Sequence, residues 1–321
     1  MKIGYKLLAE GYDPKEIVRQ AVAAERAGFD FVEVSDHYHP WLAEQGHSGF
    51  AWAMLANAAA KTERITLMTG VTCPTMRYHP AIIAQAAATL AILSDGRFTL
   101  GVGSGERLNE HVIGGGWPAV HVRQEMLREA LEIIRLLWSG GYHSYDGQYL
   151  EIAEARVFDL PPELPEIVVA AGGPKAAKIA ADLGDGIFNT EDDPSVLEAY
   201  ASEGGKGPRY CEVMMAYAGR EQDAVAAARE KMRFGLTGWK VMAELPNPGS
   251  FDAATATVTE DDIRQNFSCG PDPESHIKSV QNYVNAGFDH LTLANAGPDV
   301  DGFFEFFTSE LQGPLRELKT A

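Results

Sequence analysis

Phe29-Asp30-Phe31-Val32-Glu33-Val34 runs directly into Ser35-Asp36-His37-Tyr38-His39-Pro40-Trp41. The first six residues alternate apolar and polar side chains enough to read as a strand. Three ionisable side chains follow within four residues, and Pro40 stops any regular ladder from continuing. A strand that ends in Asp, His, His and Trp delivers polar groups just past the point where the backbone is held. If the chain is an enzyme, its chemistry is expected here.

The same rhythm extends in both directions. Ile3 to Leu8 reads as a first strand. Asp13-Pro14-Lys15-Glu16 then reads as a helix start, with Asp as N-cap, Pro at the first helical position and Glu at the third. Ile17, Ala21, Ala24 and Gly28 share one face, and Gly28 ends that helix. Beyond the opening stretch come a helix from Phe50 to Lys61, a strand from Ile65 to Gly70, an Ala-rich helix from Pro80 to Ser94 and a strand from Arg97 to Gly103. An amphipathic helix from Val122 to Trp138 precedes a hairpin-like excursion. Strands are then expected at 166–170, 186–189, 210–216 and 289–294, with helices between them and a closing helix striped by Phe303, Phe304, Phe306, Phe307 and Leu311. Eight strands alternating with helices, and no linker, predict a single (β/α)8 TIM barrel over residues 1–321, with loop insertions at about 139–164 and 236–259. A doubly wound open sheet is the alternative, but it calls for a phosphate-binding glycine motif after the first strand, where Leu8-Ala9-Glu10 stands instead.

Composition narrows the function. With 321 residues, 45% of them hydrophobic, the chain can bury a large core. Its 45 acidic against 27 basic residues, a formal charge of −18, argue against a nucleic-acid or anionic-membrane surface and favour a small-molecule protein. An anionic ligand stays possible, because helix N-termini bind phosphate locally. Cys73, Cys211 and Cys269 form no CxxC pair and are an odd number, which fits reduced thiols in the cytoplasm. No apolar run approaches the roughly 18 residues of a membrane span.

In a barrel the strand ends share one face. Here they bring together Glu10; Asp36, His37 and Trp41; Gly70, Val71 and Thr72; Gly105, Glu106 and Asn109; Ala171, Gly172 and Gly173; Asn189 and Thr190; and Asn295. His37-x-His39 could be a metal pair, but a metal site needs further ligands from later strands, and those ends offer Ala-Gly-Gly and Asn-Thr. His37 reads better as a general base or hydrogen-bond donor, oriented by a carboxylate. Gly101-Val102-Gly103-Ser104-Gly105-Glu106 lacks the last glycine of a dinucleotide fingerprint, and its informative member is Glu106. Ala170-Ala171-Gly172-Gly173-Pro174 sets bare backbone at a helix N-terminus, either a phosphate cradle or an ordinary turn.

Taken together, four motifs resemble the luciferase-like flavin and deazaflavin family, and within it the coenzyme F420-dependent glucose-6-phosphate dehydrogenase branch. They are Ser35-Asp36-His37-x-x-Pro40-Trp41, Pro80-Ala81-x-Ile83-Ala84-Gln85, Gly101-Val102-Gly103-x-Gly105-Glu106-x-Leu108-Asn109-Glu110 and Ala170-Ala171-Gly172-Gly173-Pro174. The resemblance implies a homodimeric F420-dependent oxidoreductase acting on CH–OH groups, with FMN as the alternative cofactor and a monooxygenase as the alternative activity. It implies His37 as base, Glu106 serving the proton balance at the ring and Trp41 holding substrate. A non-prolyl cis peptide at Gly70-Val71 would support the ring, with cofactor contacts from Asp36, Gly70, Val71, Cys73, Gly105, Asn109, Ala171, Gly172 and Gly173. Substrate contacts fall on Thr190, Asp193, Lys240 and Asn266. At the positions where sugar-phosphate enzymes carry basic residues, Asp193 is an acid and Asn266 is neutral, leaving Lys240 alone. The substrate is therefore expected to be either a sugar phosphate or a secondary alcohol.

Overall fold

Parallel strands close the core of the molecule, whose computed structural model describes residues 1–320. The strands in chain order are β1 (Lys2–Leu7), β2 (Phe31–Val34), β3 (Thr66–Thr69), β4 (Phe98–Val102), β5 (His143–Asp146), β6 (Glu151–Ala155), β7 (Ile167–Ala170), β8 (Gly186–Asn189), β9 (Arg209–Ala216), β10 (Ser268–Cys269) and β11 (His290–Asn295). Hydrogen bonding runs β9-β11-β1-β2-β3-β4-β7-β8 and returns from β8 to β9, all parallel, which makes an eight-stranded TIM barrel. The predicted barrel is the one observed. Two-residue β10 only extends the end of β9, and β5 and β6 form the antiparallel hairpin of the first insertion.

Local chemistry explains the helix that follows β1. Asp13 Oδ1 accepts from the amides of Lys15 and Glu16, Pro14 opens the helix Pro14–Ala27, and Gly28 closes it with φ +88°. Glu16 does not reach back to complete a capping box, because Arg19 and Gln20 take its carboxylate. The segment 236–259, expected to be irregular, contains the helices Trp239–Met242 and Pro248–Ala254. Pro248 starts the second of these at its first position, behind the capping side chain of Asn247, so the proline that looks like a breaker is an initiator. The closing helix contains a π-helical turn, Phe307–Leu311.

The barrel interior is layered by the two-residue alternation of its strands. Phe31, Met68, Val168, Phe188 and Tyr210 make an apolar plug. One alternation step further along the strands, Lys6, Glu33, Glu212 and Thr292 form a charged layer. Outside the barrel wall, Phe303, Phe304 and Phe307 pack on Tyr5 and Phe29, with Phe29 and Phe307 stacked at 3.8 Å and Tyr5 and Phe304 edge-on at 4.8 Å. Phe307 is fully buried, so Phe307→Ala should destabilise the protein by about 3–5 kcal/mol through lost burial and an unfilled cavity. A fall in the urea midpoint without a changed slope would report it.

Candidate active site

The charged layer floors a cavity of about 640 Å³ at the carboxyl ends of the strands. Glu10 enters it after β1, Ser35, His37 and Trp41 after β2, Gly70 and Val71 after β3, and Ser104 to Glu106 after β4. Ala171 to Gly173 follow β7, and Thr190 and Glu191 follow β8. Met232, Phe234, Trp239, Lys240, Met242 and Ala243, from the segment after β9, cover the remaining side.

His37 lies between two carboxylates. Its Nδ1 is 2.7 Å from Glu10 Oε1, with the N–H off the line to the oxygen, and its Nε2 is 3.3 Å from Glu106 Oε1. The ring meets Trp41 edge-on at 4.7 Å and is almost fully buried. Burial disfavours the imidazolium, but Glu10 and then Glu106 outweigh it, so the His37 pKa is raised above the ordinary histidine value. Burial likewise works against the Glu10 carboxylate, while His37 and Lys6 hold its pKa below the usual range. A group that gains a proton readily, with two anions ready to stabilise the resulting cation, suits general base catalysis.

The loop carrying His37 is held from beneath. Asp36 accepts from Trp52 Nε1 at 3.1 Å, Thr72 Oγ1 at 2.8 Å, Arg77 Nη2 at 3.1 Å and Tyr78 OH at 3.0 Å. Arg77 also donates to the Asp36 carbonyl and approaches Glu110 at 3.6 Å. Burial pushes Glu110 up to about 7, against the pull of Arg77. From the other side Asn109 Oδ1 accepts from the amides of Tyr38 and His39, and its Nδ2 donates to Glu106 at 2.6 Å. One side chain thus orients the loop and one of the carboxylates facing His37.

Across the cavity, Gly172 and Gly173 precede the helix Pro174–Leu183. The first amides of this ten-residue helix have no partner within it, and no side chain caps them. A side chain at Gly172 would place its Cβ 2.9 Å from the Trp239 ring, so the covering segment approaches the bare backbone closely. The peptide between Gly70 and Val71 is cis.

The luciferase-like monooxygenase family model matches residues 1–290. The chain belongs to this family. It is 36% identical to an F420-dependent glucose-6-phosphate dehydrogenase of Nocardia farcinica and 37% identical to one of Kribbella flavida, in each case over 99% of both chains. Among solved structures, an F420-dependent secondary alcohol dehydrogenase in complex with an F420–acetone adduct superposes with a TM-score of 0.92 at 31% identity, over 98% of this chain and 99% of that one. A coenzyme F420-dependent tetrahydromethanopterin reductase from Methanopyrus kandleri, at 21% identity and a TM-score of 0.76 over 97% and 98% of the two chains, shares the fold.

Not every residue expected at this luciferase-like site reaches the cavity. His37, Trp41, Gly70, Val71, Gly105, Glu106, Ala171, Gly172, Gly173, Thr190 and Lys240 line it. Asp36 does not, because its carboxylate is turned inward and saturated by the four donors above. Cys73 is buried with its Sγ at 3.2 Å from Thr75 Oγ1, beneath Gly105 rather than on the wall. Asn109 is also buried and acts through Glu106 and the His37 loop. Asp193 is spent as the exposed N-cap of the helix Pro194–Ser202, and Asn266 bonds to the carbonyl of Asp262 on the surface. His39 points its Nδ1 at the Leu108 carbonyl, 3.1 Å away.

The sequence places Glu10 at a strand end without giving it a role, and by itself points to no role for Lys6, Glu33, Glu212 or Arg77. A period-two signal could have found three of them, since Lys6, Glu33 and Glu212 are charged residues at inward positions of strands. Glu10 contributes most to raising the His37 pKa. In Glu10→Gln the imidazole should therefore release its proton at lower pH than in the wild type, moving toward or below the ordinary value of about 6.5. An NMR titration of the His37 ring in the ligand-free protein would measure this.

Proposed function

We propose that the chain is an F420-dependent dehydrogenase that moves a hydride between a hydroxyl-bearing carbon and C5 of the deazaflavin. The observation carrying this reading is His37 held between Glu10 and Glu106 in a cavity that also exposes bare backbone at two places. The full-length likeness to F420-dependent dehydrogenases supports it. The residues fit the cofactor: Gly70, Gly103 and Gly105 leave bare backbone beside Val71 for a flat ring, and Gly172-Gly173 at a helix N-terminus suits its phosphate. F420 supplies the hydride acceptor when bound.

The chain's own residues do the rest. His37 in its neutral form takes the hydroxyl proton, the carbon–hydrogen bond gives up its electron pair as hydride, and a carbonyl forms. Glu10 and Glu106 stabilise the imidazolium at the moment it appears, which lowers the barrier for proton and hydride loss together. Trp41 closes the substrate side, stacked on Phe234 at 5.0 Å and met edge-on by Phe251 at 5.1 Å.

That substrate side favours a neutral secondary alcohol. Around Trp41 the wall includes Leu8, Met214, Met232, Phe234, Met242 and Ala294, which offer apolar contact, while Lys175, Lys240 and the Glu244-paired Arg123 reach the cavity from other segments. A sugar phosphate is the second reading, supported by Lys240 on the wall.

Fluorescence titration should give tight binding of oxidised F420 and weak binding of FMN, and the reverse order would overturn the cofactor assignment. His37→Ala should lower kcat/KM for alcohol oxidation by about 10²–10⁴-fold while F420 affinity changes little. In a panel read by bleaching of F420 absorbance, secondary alcohols should surpass glucose 6-phosphate. Preference for the sugar phosphate, abolished by Lys240→Ala, would establish the second reading instead.

A further inference from the structure

The floor of the cavity holds a cluster that proton transfer at His37 does not use. Lys6 on β1 and Glu33 on β2 are register partners, and both point into the barrel. Lys6 Nζ donates to Glu33 Oε1 at 2.6 Å, to Glu212 Oε1 at 2.6 Å and to the Gly70 carbonyl at 3.0 Å. Thr292 Oγ1 donates to Glu33 Oε2 at 2.8 Å. Lys6 is 3% exposed and Glu33 0%, yet Lys6 and Glu212 both reach the cavity wall.

Stability gives no reason for this arrangement. Burying ion pairs is often less favourable than filling the same volume with apolar groups, as the neighbouring plug of Phe31, Met68 and Tyr210 does. The cluster also lies directly against the peptide that faces the cavity: a Cβ on Gly70 would fall 2.1 Å from Glu33 Oε1. Burial disfavours the Lys6 ammonium, but Glu212 and Glu33 outweigh it and keep the lysine charged.

We infer that Lys6, clamped by Glu33 and Glu212, is a positioning residue that supports the Gly70-Val71 wall and electrostatically favours the reduced form of the cofactor resting on it. The inference builds on the F420 reading. In the reaction, the substrate C–H bond breaks with its electron pair, the O–H proton passes to His37 and the carbonyl forms. A cofactor bound here would gain two electrons and one proton with each hydride, and so one added negative charge until a further proton follows. A fixed and almost fully buried ammonium, bonded to the Gly70 carbonyl, stabilises that charge with little reorganisation.

The test measures dissociation constants for oxidised and for reduced F420 separately, at pH 7, in the wild type, Lys6→Met and Glu33→Gln. Lys6→Met should shift the ratio of the two constants about tenfold against the reduced form, equivalent to about 30 mV for a two-electron couple. Glu33→Gln retains the ammonium and removes one of its carboxylate partners, so the ratio should not move against the reduced form. Burial, with Glu212 nearby, pushes the Glu33 pKa up even against the pull of Lys6. A parallel loss of both affinities in Lys6→Met, or none, means a structural role only and overturns the inference. Should Lys6→Met not fold, the double variant Lys6→Met/Glu33→Gln compared with Glu33→Gln must show the same shift, and its absence overturns the inference equally. Wild-type protein that binds neither form removes the cofactor reading and this inference with it. Normal binding with an unmoved ratio removes this inference alone.

Discussion

Trp52, Thr72, Arg77 and Tyr78 all donate to the single carboxylate of Asp36, and the geometry of the active site depends on that convergence. His37 is the next residue in the chain, so an Asp36 that could not turn over leaves the imidazole few places to go. The donors come from the helix Ala51–Ala59 and from the segment just beyond β3, which ties the loop after β2 to its neighbours on two sides. A buried carboxylate is stable only when it is paired and hydrogen-bonded in this way. The loop therefore gains rigidity from a residue that never touches the cavity.

Rigidity here serves electrostatics. Bringing two carboxylates up to a buried imidazole requires that none of the three can relax into solvent. Asn109 holds Glu106, and Glu10 is buried in the turn after β1, its carbonyl accepting from the His47 amide. The barrel contributes the rest, because parallel strands closed on themselves place every second side chain inside and stack those side chains in layers. One layer can then be apolar, the next ionic and the next catalytic, without any long-range rearrangement of the backbone.

The alternation of strand and helix was legible along almost the whole chain, because Asp13-Pro14, Pro80 and Pro273 mark helix starts and short apolar runs mark strands. It was less legible after β9. There Pro248 supports a helix start as well as a break, and only the packing of Phe234 and Phe251 on Trp41 reveals that this segment belongs to the site wall. The family resemblance implies a cofactor contact for Asp36, while the structure turns its carboxylate inward onto four donors. Neighbouring residues leaving a strand point to opposite sides, so Asp36 and His37 do not share a direction. Asp193-Pro194 carries the same helix-start signal as Asp13-Pro14, and the structure shows Asp193 spent as that cap.

What the sequence determined by itself was the architecture and the set of chemical groups near the strand ends. Both follow from local rules: periodicity chooses the element, and the barrel's closure gathers the ends on one face. Only the tertiary structure decided which of those groups face the cavity, which face each other and which serve as supports. The Glu10–His37–Glu106 contacts join positions from three different strand ends, and Lys6 meets Glu212 across 206 residues of chain. Such pairings depend on strand register and loop path, which no local pattern of residues encodes.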